Sequence, residues 1–266
     1  VRGMQSSEAT RPAEWPSGNW RTLRERIKLA LAAVFGAVVM FVCAAGVVVM
    51  LDEGSPQSAK YFVLFGLLWV PILAFPLVYK PKANGRLAPT ERTLNGSPAT
   101  TIEYSSGPLT VMSILTGFVS LMMGLGAYDY SLEAESDGYG STVIFAAIAL
   151  FFGSFPLSYL LGRLRRGYIA FTTEGIHQRG WAFESFLPWD SVMGVSAGYQ
   201  GFPMTLIIAY NDEGWRRRYT ARLWRIDRIP PTPMMDIDYR KIGDDAALVH
   251  AFIVEQVERN RRPLRR

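Results

Sequence analysis

The chain has 266 residues, 49% of them apolar, a formal net charge of +5 and a single cysteine, with mean hydropathy of +0.11. That balance excludes an ordinary soluble domain and an all-membrane bundle, and points to a chain part in the bilayer and part in water. The basic residues flank apolar runs instead of forming a separate patch, so no nucleic-acid partner follows from the charge. Cys43 has no second cysteine to pair with, and His177 and His250 lie too far apart in sequence to offer metal-ligand spacing.

Residues 1–26 are polar and rich in Ser, Pro and Gly, and read as a disordered tail. Thr22-Leu23-Arg24-Glu25 has capping-box spacing, and Trp15 and Trp20 fit headgroup level. Leu29 to Leu51 carries no charge and is long enough, at 1.5 Å per residue, to cross a core of about 30 Å. A signal peptide is the rival reading. The run is too long for one and no A-x-A site precedes Asp52, so a retained span is expected. A polar turn, Asp52 to Lys60, leads to a second span, Tyr61 to Tyr79, which contains Pro71 and Pro76. Together these make a first membrane hairpin over 27–80.

Residues 81–108 read as a polar loop with Lys82, Arg86 and Arg92. A second hairpin follows over 109–162, with spans at about Leu109–Tyr128 and Ser141–Leu161. The acidic turn between them holds Asp129, Glu133, Glu135 and Asp137. Six Lys or Arg lie from the N-terminus through Lys28, four between Lys80 and Arg92, and three at Arg163, Arg165 and Arg166; the two opposite turns hold only Lys60. This asymmetry predicts a multi-pass plasma-membrane protein with both termini in the cytosol.

Residues 36–80 align without gaps on 116–160, with nine identities that include Phe75-Pro76-Leu77-x-Tyr79 and Phe155-Pro156-Leu157-x-Tyr159. The two hairpins read as a duplication related by an axis along the membrane normal, or as likeness through composition alone. The predicted spans hold no ionisable residue, and their Gly, Ala and Ser suit close helix packing more than a transport path.

After Arg166 the pattern turns to short alternating segments. Strands are predicted at Tyr168–Thr172, Ile176–Arg179 and Glu184–Pro188. Two more, Thr205–Tyr210 and Trp215–Thr220, flank Asn211-Asp212-Glu213-Gly214 and read as a hairpin. Arg216, Arg217 and Arg218 then lie on a solvated edge strand. Three prolines in Ile229–Pro233 make an extended connector. Asp244–Arg259 has helical spacing, with Leu248, Phe252 and Val257 facing the core. Residues 261–266 form a basic tail.

Phe171-Thr172-Thr173-Glu174-Gly175-Ile176, then Arg179-Gly180, then Leu187-Pro188-Trp189-Asp190-Ser191-Val192 resemble the bacterial pleckstrin-homology-like domains, often attached to pairs of membrane helices. The resemblance implies that 163–260 is a cytosolic PH-like antiparallel β-barrel closed by a C-terminal helix, with Trp189 as a core or cap residue. The first turn lacks the Lys or Arg that inositol-lipid binding needs, so that activity is not implied.

The fold class expected is thus an α+β membrane protein: four membrane helices followed by the β-domain. No nucleophile, base or metal set emerges, and no cofactor or small-molecule substrate is indicated. The function expected is a non-catalytic scaffold, interaction protein or accessory subunit of a membrane assembly, with the bilayer and a membrane or cytosolic protein as partners. The alternative is a small transporter or a lipid-handling enzyme. Arg163, Arg165 and Arg166 are the candidate lipid-headgroup contacts; the competing reading is that they only set topology.

Overall fold

The computed structural model describes residues 23–133, 139–199, 203–221, 223–226, 229 and 233–260. The expected tails, most of the acidic turn and most of the proline connector lie outside the described residues, as do Trp15 and Trp20.

Four helices are long and apolar enough to span a membrane. They are α1 (Leu23–Asp52), α2 (Pro56–Val78), α3 (Gly107–Glu133) and α4 (Tyr139–Leu160). Small residues set their spacing, since a Cβ at Gly36 would come within 2.7 Å of Leu73, at Gly46 within 2.6 Å of Phe62, and at Gly153 within 2.7 Å of Ser120 Oγ. Ser120 also donates to the Ala149 carbonyl at 2.7 Å, which ties α3 to α4. At the end far from the β-domain, Lys60 meets Asp129 at 2.6 Å, and the Tyr61 hydroxyl donates to the same carboxylate at 2.6 Å. This polar clamp links the two hairpins. Helix α2 therefore starts earlier than its charge-free run, because Lys60 extends its stem and finds a partner at the helix end.

The segment read as a loop over 81–108 is the largest correction. It contains β1 (Thr90–Leu94) and β2 (Ser97–Glu103), an antiparallel pair turned by Asn95 and Gly96, both at positive φ of 52° and 86°. Positive φ at both central residues is what a two-residue hairpin turn requires. Strand β2 then pairs with β3 (Tyr168–Thr172), from Ala99 opposite Thr172 to Glu103 opposite Tyr168. The β-domain is therefore not a segment that follows the membrane helices. It begins before α3, and the α3–α4 hairpin is inserted between two adjacent strands of one sheet.

The remaining strands are β4 (Gly175–Arg179), β5 (Phe183–Pro188), β6 (Val192–Tyr199), β7 (Pro203–Ala209), β8 (Arg216–Tyr219) and β9 (Met234–Asp238). They form a six-stranded sheet, β1-β2-β3-β4-β5-β8, and a three-stranded sheet, β6-β7-β9. Among the described residues no strand ladder joins the two, so a closed barrel is not what forms. The chain leaves β5 at Pro188, passes a 3-10 turn over Trp189–Ser191, and enters the other sheet instead of continuing the ladder. The expected hairpin across Asn211–Gly214 is also replaced. Strand β7 pairs with β6 and β9, while β8 crosses to β5, and the turn is a corner between sheets with Gly214 at φ +71°.

The core between the sheets holds Ile102, Ile169, Ile176, Leu187, Ile207, Met235, Ile237 and Tyr239, all fully buried. Each such aliphatic side chain contributes roughly 1.5–3 kcal/mol. Helix α5 (Ala246–Asn260) covers it with Val249, Ile253 and Val257. Of the expected face, Val257 is buried and Phe252 packs half-buried against the core, while Leu248 is 40% exposed and Val249 takes its place. Asp245 accepts from the amides of Ala247 and Leu248 and caps α5. Its second oxygen accepts from Gly85 at 3.0 Å, which fastens the chain leaving α2 to the domain.

The membrane helices enter this same core. Leu109 of α3 and Phe155 of α4 are buried within it, with Tyr79 and Tyr159 packed against it. The Tyr79 hydroxyl donates to Asp238 at 2.8 Å, and the Arg240 guanidinium lies 4.5 Å over the Tyr79 ring.

Candidate functional site

The outer face of the six-stranded sheet carries an array of charged side chains on β4, β5 and β8. Alternation along β4, β5 and β8 turns His177, Arg179, Glu184, Phe186, Arg216 and Arg218 outward, while Gln178, Ser185 and Arg217 point the other way. Strand β8 is the sheet's edge, as the arginine run predicts. Cross-strand register places Arg179 opposite Glu184 and Glu184 opposite Arg218. Both arginines take the same carboxylate, at 3.0 and 2.6 Å. Arg217 lies 5.0 Å from the Trp215 ring, whose indole N–H donates to Ser185 at 2.7 Å.

These side chains, with the Leu94-Asn95 tip of the first hairpin, line an open groove of about 660 Å³. His177 packs on Phe186 with ring centroids 4.4 Å apart, and the Arg216 guanidinium lies over the Phe186 ring at 5.4 Å. Burial pushes the His177 imidazole below its usual pKa, and Arg216 adds to the shift against the opposing pull of Glu174 and Glu184. The imidazole is thus held neutral as a flat surface beside a cation. Among the described residues no hydrogen bond joins it to a nucleophile.

A second, smaller cleft of about 440 Å³ lies where α4 meets the sheet edge, lined by Gly162, Arg163, Arg165, Arg179, Arg218 and Thr220, among others. The structure separates the three arginines singled out in sequence. Arg163 and Arg165 are exposed and line the cleft. Arg166 is turned to β2, where it pairs with Glu103 at 2.8 Å and donates to the Tyr104 carbonyl. Arg179, Arg218 and Thr220 are the members that sequence reading missed. Arg179 and Glu184 are neighbours across a tight turn and were within reach of a register argument, whereas Arg218 arrives only through the β5–β8 pairing.

A buried polar cluster lies inside the domain. Thr205, Tyr239 and His250 share hydrogen bonds, with Thr205 Oγ1 2.6 Å from His250 Nδ1. Burial lowers the His250 pKa and raises that of the Tyr239 phenol, so both stay neutral. The three side chains are cut off from solvent and serve the packing of β7 against α5. Among the described residues no group of three His, Cys, Asp or Glu side chains is placed to hold a metal ion. Trp189 is buried and donates its N–H to the Thr172 carbonyl at 2.8 Å, joining the two sheets.

Comparison with family models, with curated proteins and with solved structures found no match. The fold itself sets the class: an α+β protein with four candidate membrane-spanning helices, a two-sheet antiparallel β-domain and a C-terminal helix.

Proposed function

We propose that this chain is a non-catalytic membrane scaffold or accessory subunit, whose PH-like domain holds a protein partner against the cytosolic side of the plasma membrane. The observation that carries the reading is the groove on the outer face of the six-stranded sheet. It combines a flat aromatic floor, Phe186 with His177, and a rim of arginines on an edge strand. Arg and aromatic residues are the types that dominate protein interfaces, and an acidic segment of a partner suits the rim. The groove also has a fixed position, because hairpin α3–α4 emerges from the same sheet and Tyr79 and Phe155 pack into its core. A partner seated there is held at one distance and angle from the bilayer. The two hairpins fit a duplicated in-out-in unit, with the phrase Phe-Pro-Leu-x-Tyr at the β-domain end of both α2 and α4.

A photocrosslinker placed at His177 and activated in native membranes tests this. The expected result is one protein adduct that weakens when Arg216 and Arg218 are changed to Glu. Adduct formation no higher than that of the same probe at Leu150, on the exposed side of α4, sinks the scaffold reading.

A further inference from the structure

We propose that the cleft between the end of α4 and the β5–β8 edge binds the phosphate of an anionic phospholipid in the adjoining leaflet. The cleft shares Arg179, Glu184 and Arg218 with the protein-docking groove, whereas Arg163 and Arg165 line the cleft and not the groove, so variants at these two test it independently.

The first argument is depth. Leu160 and Leu161 are exposed apolar residues at the end of α4, and Arg163 follows them by two positions. Beside this end the chain after β8 folds back onto the helix. Trp224 donates its indole N–H to Ser154 Oγ at 2.8 Å and packs on Phe151 and Phe155, with centroids 4.7 and 5.0 Å away. Its neighbour Leu223 is 61% exposed. Ser154 lies about 9 Å along the helix from Leu160 at 1.5 Å per residue. A loop that places Trp and Leu at that level marks the inner side of the headgroup layer, where Trp is favoured. The cleft lies beyond the helix end, on the water side of that level.

The second argument is chemistry. Among the described residues Arg163 has no carboxylate partner, and Arg165 donates to the Gly162 carbonyl beside it. Glu184 is already shared between Arg179 and Arg218. The cleft therefore brings four guanidinium groups together with one carboxylate. A phosphodiester meets the charge that is left over: its oxygens accept from the exposed guanidinium groups of Arg163 and Arg165. A zwitterionic lipid brings a cation with its phosphate and gains less from this surplus.

The test uses the full chain in nanodiscs made from a three-to-one mixture of phosphatidylcholine and phosphatidylglycerol. Trace spin-labelled lipid of either kind is added, and the motionally restricted fraction is read by electron paramagnetic resonance. The wild type is expected to restrict labelled phosphatidylglycerol in preference to labelled phosphatidylcholine. The R163Q/R165Q double variant should lower that preference about fivefold or more. R166Q, whose charge is already spent on Glu103, should leave it in place. Equal restriction of the two lipids by the wild type overturns the site. So does an unchanged preference in the double variant, and so does an equal loss in R166Q, which marks diffuse surface charge. Displacement of the labelled lipid by millimolar inorganic phosphate assigns the cleft to a soluble phosphate and overturns the lipid assignment.

Discussion

The two membrane hairpins share a sequence phrase and an outline, yet they stand in different relations to the β-domain. In the first, α1 exposes Leu31, Val34, Phe35, Val38, Phe41 and Val42 and packs on α2, so most of its surface is left for lipid. Only the end of α2 reaches the domain, where Phe75 and Tyr79 are half-buried. In the second, both ends continue directly into strands of one sheet, and the matching Phe155 is fully buried. Leu77 and Leu157, two residues further on in each helix, are 52% and 54% exposed. The same local phrase thus gives the same helix face, while chain connectivity decides how deeply that face is built into the neighbouring domain.

The comparison breaks most completely on topology, where the expected effect is all or none. With Cys43 changed to Ser, cysteines at Glu53 and Tyr139 probe the turns of the two hairpins, and one at Thr93 probes the β-domain. An impermeant maleimide on intact cells should label the first two and spare the third until lysis. Reaction at only one turn ends the equivalence of the hairpins, and reaction at Thr93 reverses the orientation.

Truncation of the paired phenylalanines gives a graded version. Phe155→Ala should cost about 3–5 kcal/mol, because the cavity lies in a packed core touching Trp224. Phe75→Ala should cost about 1–2 kcal/mol, since that ring is half-exposed before the change. Denaturant unfolding in detergent, followed by near-ultraviolet circular dichroism of the β-domain, separates them. Equal losses would mean that both hairpins anchor the domain alike.

The smallest effect concerns pH. Both histidines lie in the β-domain, and burial holds the folded His250 below its usual pKa of 6.5. The unfolded chain then takes up the proton first, so the stability this residue contributes is present above pH 6.5 and is lost as pH falls through that value. The melting temperature should be flat from pH 8 to 7 and decline below, and His250→Gln should remove part of the decline. A variant with the wild-type profile would show that the Thr205–Tyr239–His250 cluster does not carry it.

Much of the membrane half was legible because an uncharged run of such length has few other fates in water. The first hairpin of the β-domain was not read, although Asn95-Gly96 between Thr-rich segments is a strong turn pattern. Strand β1 is polar except for Leu94 and β2 carries a single large aliphatic residue, Ile102, so period-2 alternation is weak. The partner that gives β2 its place, β3, lies beyond two membrane helices. The hairpin across Asn211–Gly214 failed for a related reason: the turn residues were right, but local chemistry does not say whether a chain returns to its own sheet or crosses to another. At the cleft, Arg163 and Arg165 were visible as a basic cluster after a span. Arg179, Arg218 and Thr220 join them only once β4, β5 and β8 are aligned, and no spacing along the chain records that alignment.

The interruption between β2 and β3 also bears on how the protein is made. Glu103 and Tyr168 are paired neighbours in the finished sheet, but a ribosome working at roughly 5–20 residues per second needs about 3–13 s to get from one to the other. Throughout that interval the β1–β2 ribbon has no third strand, and a lone two-stranded ribbon is marginally stable in water. Its missing neighbour becomes available only after both α3 and α4 have been made. Synthesis of the whole second hairpin therefore has to precede completion of the six-stranded sheet. A nascent chain that fails this step is left with an unpaired strand edge, which is a ready mark for degradation.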